Sequence, residues 1–79
     1  MPLYFFHLKD GEDVLIDAEG MELRDIGDAK ATALLQARDI ISHEALKGHI
    51  NLAQWIEVRN EAGAPVCSIK FEDAVHIHR

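Results

Sequence analysis

Leu3-Tyr4-Phe5-Phe6-His7-Leu8-Lys9-Asp10-Gly11-Glu12-Asp13-Val14-Leu15-Ile16 is the stretch on which the fold turns. Leu3 to Leu8 has the β-propensity and the length of a strand buried on much of both faces. Side chains alternate across a strand, so Tyr4, Phe6 and Leu8 share one side and Leu3, Phe5 and His7 the other. Lys9 to Asp13 is turn chemistry, with Asp10-Gly11 suited to a tight hairpin. Val14-Leu15-Ile16 then returns as a short second strand. Asp17-Ala18-Glu19-Gly20 turns again, and Met21-Glu22-Leu23 can extend the pairing as a short third piece.

Beyond this hairpin the periodicity changes from two to that of a helix. Asp25 is a good N-cap, and Asp28 places an acid in the first turn, where the helix dipole favours it. Ile26, Ala29, Ala33, Ala37, Ile40 and Ile41 recur at helical spacing with Leu34 on the flank, and Gly48 is a natural stop. The pattern predicts a helix over about 26–47, its Ala29, Ala33 and Ala37 ridge allowing close approach to a sheet. Thr32, Gln36, Asp39, His43 and Lys47 fall on the opposite side.

After a loop through His49 to Gln54, Trp55-Ile56-Glu57-Val58-Arg59 alternates as a half-buried strand. Asn60 to Pro65 is a hairpin loop with Gly63 where a left-handed residue is often needed. Val66 to Phe71 is the partner strand, with Cys67, Ile69 and Phe71 as its apolar face. The tail, about 72–79, reads as a short helical turn followed by a strand-like Val75-His76-Ile77, or as frayed chain. The fold class is therefore α+β: a single small domain over 1–79, an antiparallel sheet of two hairpins in ββαββ order packed on one α-helix.

Composition narrows the function classes. The 79 residues carry a formal charge of −6 and 48% hydrophobic residues, which fits an ordinary folded domain and not a disordered chain. No apolar run approaches the roughly 18 residues of a membrane helix. A single cysteine and an N-terminus without a signal-peptide pattern give the expectation of a cytoplasmic protein with no membrane partner. A core this small rarely supplies more than about 3–5 kcal/mol, so a homodimer or larger assembly is expected.

Clusters of chemistry-bearing residues were weighed against plainer readings. His76 and His78 would share one face of an extended strand, and His7 could add a third imidazole if the tail paired beside the first strand. A closed zinc site usually takes four ligands, often thiolates, and the only thiol, Cys67, falls on an expected core face. A solvated tail and one packed histidine are the preferred reading, with no metal site. Asp10, Glu12, Asp13, Asp17, Glu19, Glu22, Asp25 and Asp28 hold eight of the fourteen acids. Their spacing fits no EF-hand loop, and hairpin turns and a helix start explain them.

No Ser or Thr stands in a nucleophile elbow, and the five glycines form no phosphate loop. Cys67 has only Lys70 nearby to activate it. His7–Asp10 or His43–Asp39 could be drawn as general-base pairs, but such pairs arise by chance in a chain this rich in both. No catalytic, cofactor-binding or metal residue is assigned, no cofactor is expected, and the protein is read as not an enzyme. Phosphate binding needs clustered cations, and the eight basic residues are scattered among acids, so no nucleic-acid partner is expected. Ala31, Leu35, Ser42 and Leu46 form a second helix stripe. Either Leu35 and Leu46 pack under the His49–Trp55 segment, or the stripe is a face for a partner or a second copy.

Tyr4-Phe5-Phe6-His7-Leu8 with Asp10-Gly11, then Asp17-x-Glu19-Gly20-x-Glu22-Leu23, and Asp25 before an Ala-spaced helix, together resemble a family of short bacterial proteins known as a domain of unknown function. Ile56-Glu57-Val58, Glu61-x-Gly63 and Phe71-x-Asp73-Ala74 carry the likeness through the second half. The family brings no assigned reaction, cofactor or catalytic residue. The order of strand, Asp-Gly turn, strand and acid-capped helix is also similar to HicB-type antitoxins. That likeness implies neutralisation of a small basic RNase toxin by protein–protein contact, to which a net-acidic chain is suited. The proline-rich segment usual before their helix is missing from Leu23-Arg24-Asp25-Ile26-Gly27. The expected function is a non-enzymatic interaction module that self-associates and binds a protein partner, with an antitoxin-like role as the alternative and a histidine-dependent metal site or enzyme below it.

Overall fold

A computed structural model describes residues 1–78, so Arg79, the end of the expected tail, lies outside the described residues. Strands β1 (Leu3–Asp10), β2 (Asp13–Leu15) and β3 (Met21–Glu22) precede helix α1 (Ile26–Leu46); β4 (Trp55–Arg59), β5 (Pro65–Lys70) and a short α2 (Phe71–Ala74) follow. The strands form one antiparallel sheet with path β2-β1-β4-β5, and β3 pairs with the first residues of β1. The expected α+β single domain in ββαββ order is thus present.

The first hairpin closes more tightly than the five-residue turn read from sequence. Asp10 pairs with Asp13, leaving Gly11 and Glu12 as a two-residue connection. Gly11 has φ 61 and no residue type but glycine has positive φ among the described residues, which matches a primed hairpin turn with glycine at its first position. Because the turn is short, Lys9 and Asp10 belong to β1, and Lys9 pairs with Val14 on one side and Trp55 on the other.

One face of the sheet holds the core. Tyr4, Phe6, Ile56 and Val58 pack against Ala29, Ala33, Ala37 and Ile41 of α1, joined by Phe71 and Ala74 of α2. The three alanines are fully buried; with only a methyl at every fourth position the helix sits close to the sheet. Asp25 caps α1 as expected, its carboxylate accepting from the Asp28 N–H at 2.8 Å. At the other end Gly48 adopts φ 91, and the last carbonyls are met by the N–H groups of Lys47, Gly48 and His49.

Four expectations are corrected. Ile26 opens α1 and is 43% exposed, since a first-turn residue lies beyond the sheet. Phe71 is a core residue, as its spacing implied, but belongs to α2: its N–H turns to the Gln54 carbonyl, ending the ladder at Lys70. Beyond α2 the chain through His78 has no regular structure, so His76 and His78 share no strand. The short second strand read at Val14-Leu15-Ile16 lies one residue earlier. β2 spans Asp13–Leu15, and all three of its residues are exposed: Leu15 faces the helix side of the sheet, but α1 lies over β4 and β5, and Val14 pairs with Lys9 on the opposite face.

Candidate interaction surface

The geometry of the uncovered edge is set by Asp17. On this edge the even-numbered residues of β1 turn their backbone groups outward: Asp10 and Leu8 pair with β2, and Tyr4 pairs with Met21 of β3. Phe6 falls in the gap between those strands. Its N–H donates to Asp17 Oδ2 at 3.1 Å, so a side chain completes the row where no strand does. Asp17 Oδ1 accepts from the N–H groups of Glu19 and Gly20, and the Asp17 N–H donates to His7 Nδ1 at 3.0 Å. Partial burial pushes the Asp17 carboxyl up, but the three backbone donors and the His7 ring outweigh it and hold the group below the usual aspartate range. Gly20 completes the loop at φ 75; a Cβ there would stand 3.0 Å from both Phe5 Cε1 and the Tyr4 carbonyl oxygen.

This loop leaves Val14, Leu15 and Ile16 exposed by 48%, 69% and 59%. Leu15 pairs with Leu8 and so points to the same face as the core, yet no helix covers it. Between β2 and α1 lies a cleft of about 180 Å³ lined mainly by Phe6, Leu8, Leu15, Ile16, Ile40 and Ile56, together with the polar Asp17 and Gln36. Asp10, Glu12, Asp13, Asp17 and Glu19 surround the same edge. Asp10 accepts from Asn51 Nδ2, and none of the five takes part in an ion pair among the described residues.

The second helix stripe stands clear of the chain. Ala31, Leu35, Ser42 and Leu46 are all exposed, Leu35 by 64% and Leu46 by 84%. The His49–Trp55 segment does not fold over them. It is pinned elsewhere by Gln54, a buried side chain whose Nε2 donates to Glu44 Oε1 at 2.9 Å and to the Asn51 carbonyl. Glu44 lies on the flank of α1 nearest the sheet, so the segment closes over that flank and leaves the outward side bare.

The face of the sheet turned away from α1 carries Phe5, His7, Lys9, Trp55, Glu57 and Arg59, all partly buried. Glu57 sits among the cations: Oε1 is 2.6 Å from Arg59 Nε and 3.2 Å from Lys9 Nζ. The Arg59 hydrogen bond, offset in part by burial and helped by Lys9, holds the Glu57 carboxyl low. The two cations are spent on one carboxylate, and the aromatics here have no free basic groove around them.

Of the drawn catalytic and metal groupings only His43–Asp39 comes together, its Nδ1 3.6 Å from Asp39 Oδ1 on a solvent-exposed turn of α1. His7 Nδ1 is occupied by the Asp17 N–H, and Asp10 is engaged by Asn51. His43 Nδ1 donates to the Asp39 carbonyl in the ordinary i to i+4 fashion on an exposed surface. The His76 and His78 rings lie 4.5 Å apart in the tail. Among the described residues no three His, Cys, Asp or Glu side chains gather as a metal would need. Burial pushes the Cys67 thiol up, so it is not poised as a thiolate.

Residues 3–72 match the family model described as Domain of unknown function (DUF6894), and the chain belongs to that family. The likeness read from the opening motif through Phe71 therefore holds at the level of a domain family without an assigned role. No curated protein and no solved structure was found to match the chain. No helix among the described residues is long and apolar enough to cross a membrane.

Proposed function

We propose that this domain acts by protein–protein contact, without a reaction of its own, and that two copies associate through the outward side of α1. The observation that carries the reading is the exposure of Leu35 and Leu46 on the side of the helix away from the sheet. The stripe is self-complementary. About a two-fold axis between Arg38 and Asp39, an antiparallel second helix sets Leu35 against Ser42 of the other copy and Ala31 against Leu46 of the other copy. Large thus meets small at each position of the uncharged stripe, while Arg38 on its flank donates through Nε to the Ala74 carbonyl of its own chain. Such a seam is thin, so the dimer belongs in the micromolar range. Sedimentation equilibrium tests it. The wild type is expected to dimerise with rising concentration, and Leu35→Glu to remain a folded monomer; a wild type monomeric at hundred-micromolar concentration, or a variant that unfolds, overturns it.

A narrower reading, an antitoxin-like neutraliser of a basic RNase toxin, rests on the gathering of eight acids in the first hairpin and the start of α1. It requires that a small basic protein be encoded beside this one and that coexpression relieve its toxicity. Fold-level likeness adds little weight to it.

A further inference from the structure

We propose that the β2 edge and the cleft beneath it take an extended, cationic segment of a partner protein by strand addition; this rests on the interaction reading above and gives the partner its chemistry. Three observations converge on this edge. In an antiparallel ladder, successive residues turn their backbone groups alternately toward and away from the neighbouring strand. Asp10–Asp13 closes the hairpin and Leu8–Leu15 is the next bonded pair, so Val14 directs its N–H and C=O away from β1, where no strand lies among the described residues. An unpaired row of this kind is a template for another strand.

Next to it, Leu15 and Ile16 open onto the cleft floored by Phe6, Leu8, Ile40 and Ile56. An added strand sends every second side chain toward that cleft, which offers room for an aliphatic group and has Gln36 and the backbone-bonded Asp17 as its polar lining. The rim then selects the charge. Asp10, Glu12, Asp13, Asp17 and Glu19 ring the edge. A second copy of this chain paired β2 to β2 sets these acids against themselves, and like charges across a sheet oppose pairing. Asp10 and Asp13 share the cleft's face with Leu8 and Leu15, and Asp17 lines the cleft, so a segment with an aliphatic residue flanked two positions away on each side by a cation meets both features on one face. The edge is thereby reserved for a different chain from the one that meets α1.

The test uses the full chain, labelled with nitrogen-15, titrated with the blocked pentapeptide lysine-threonine-valine-threonine-lysine, whose valine and two lysines share one face. Amide shifts are expected at Glu12 to Ile16 and at Gln36 to Ile40, with affinity falling severalfold as salt rises from about 20 to about 200 mM. The same peptide with glutamate for lysine is expected not to bind. Val14→Pro removes only the outward N–H, a change that edge strands accommodate, and is expected to weaken binding at least roughly tenfold. If that variant does not fold, a peptide N-methylated at its threonines makes the same measurement on the wild type, since those residues lie opposite Val14 and supply the donors the added strand needs. Absence of shifts at millimolar peptide, shifts confined to the Phe5, Lys9 and Arg59 face, or undiminished binding by Val14→Pro and the methylated peptide overturns the proposal. The parent reading is judged separately: Leu35→Glu still converting dimer to monomer leaves it standing when the peptide fails.

Discussion

Asp17 does more for this fold than its place in a surface turn implies. One carboxylate receives the N–H of Phe6, a residue eleven positions away, and closes its own loop through Glu19 and Gly20. Hydrogen bonds to a charged acceptor are worth about 1.5–3 kcal/mol, so Asp17→Ala is expected to cost about 2 kcal/mol in urea unfolding. The pH dependence follows from the depressed pKa. The folded form holds the proton less readily than the unfolded chain, whose aspartate titrates near its ordinary value of 3.8. The contribution is complete above that value and is lost as pH falls through the lower folded one. Stability curves at stepped pH are expected to drop below about pH 4, and less steeply in Asp17→Asn. The role was illegible in the sequence because an acid between Ile16 and Gly20 looks like any turn residue. Only the pairing of β2 and β3 with different ends of β1 creates the donor it serves.

Element by element, what depends on neighbouring residues was readable and what depends on relative placement was not. Asp25, the alanine ridge and Gly48 mark the bounds and the buried side of α1 through local chemistry, and the observed Ile26–Leu46 ends one residue short of the expected range. Asp25→Ala removes the cap to the Asp28 N–H and is expected to cost about 1 kcal/mol in thermal or urea unfolding. Ala33 is fully buried against the sheet, so Ala33→Leu is expected to destabilise by about 1–3 kcal/mol or more, as overpacking forces the helix outward. A variant as stable as the wild type shows that the approach is looser than described. Nothing in the periodicity says over which strands the helix lies. That placement, over β4 and β5, strips cover from Leu15 and Ile16. In the same way, the alternation of Val66 to Phe71 marked Phe71 as core but could not show the chain leaving the sheet to pair with Gln54.

At the scale of the whole molecule, two uncovered apolar regions lie on different sides of an acidic domain. The outward stripe of α1 is uncharged, whereas the β2 edge is ringed by acids, so one surface suits a like chain and the other a cationic one. The stripe was visible as spacing alone, since Ala31, Leu35, Ser42 and Leu46 stand out on any helical projection. Its exposure required knowing where the His49–Trp55 segment goes. The central claim, that two copies meet along α1, is tested most directly by amide spectra of the nitrogen-15-labelled wild type over a hundredfold range of concentration. Concentration-dependent shifts are expected at Ala31, Leu35, Arg38, Asp39, Ser42 and Leu46, and absent in Leu35→Glu. Spectra that do not change with concentration, or changes confined to the sheet face bearing Phe5 and Trp55, would contradict it.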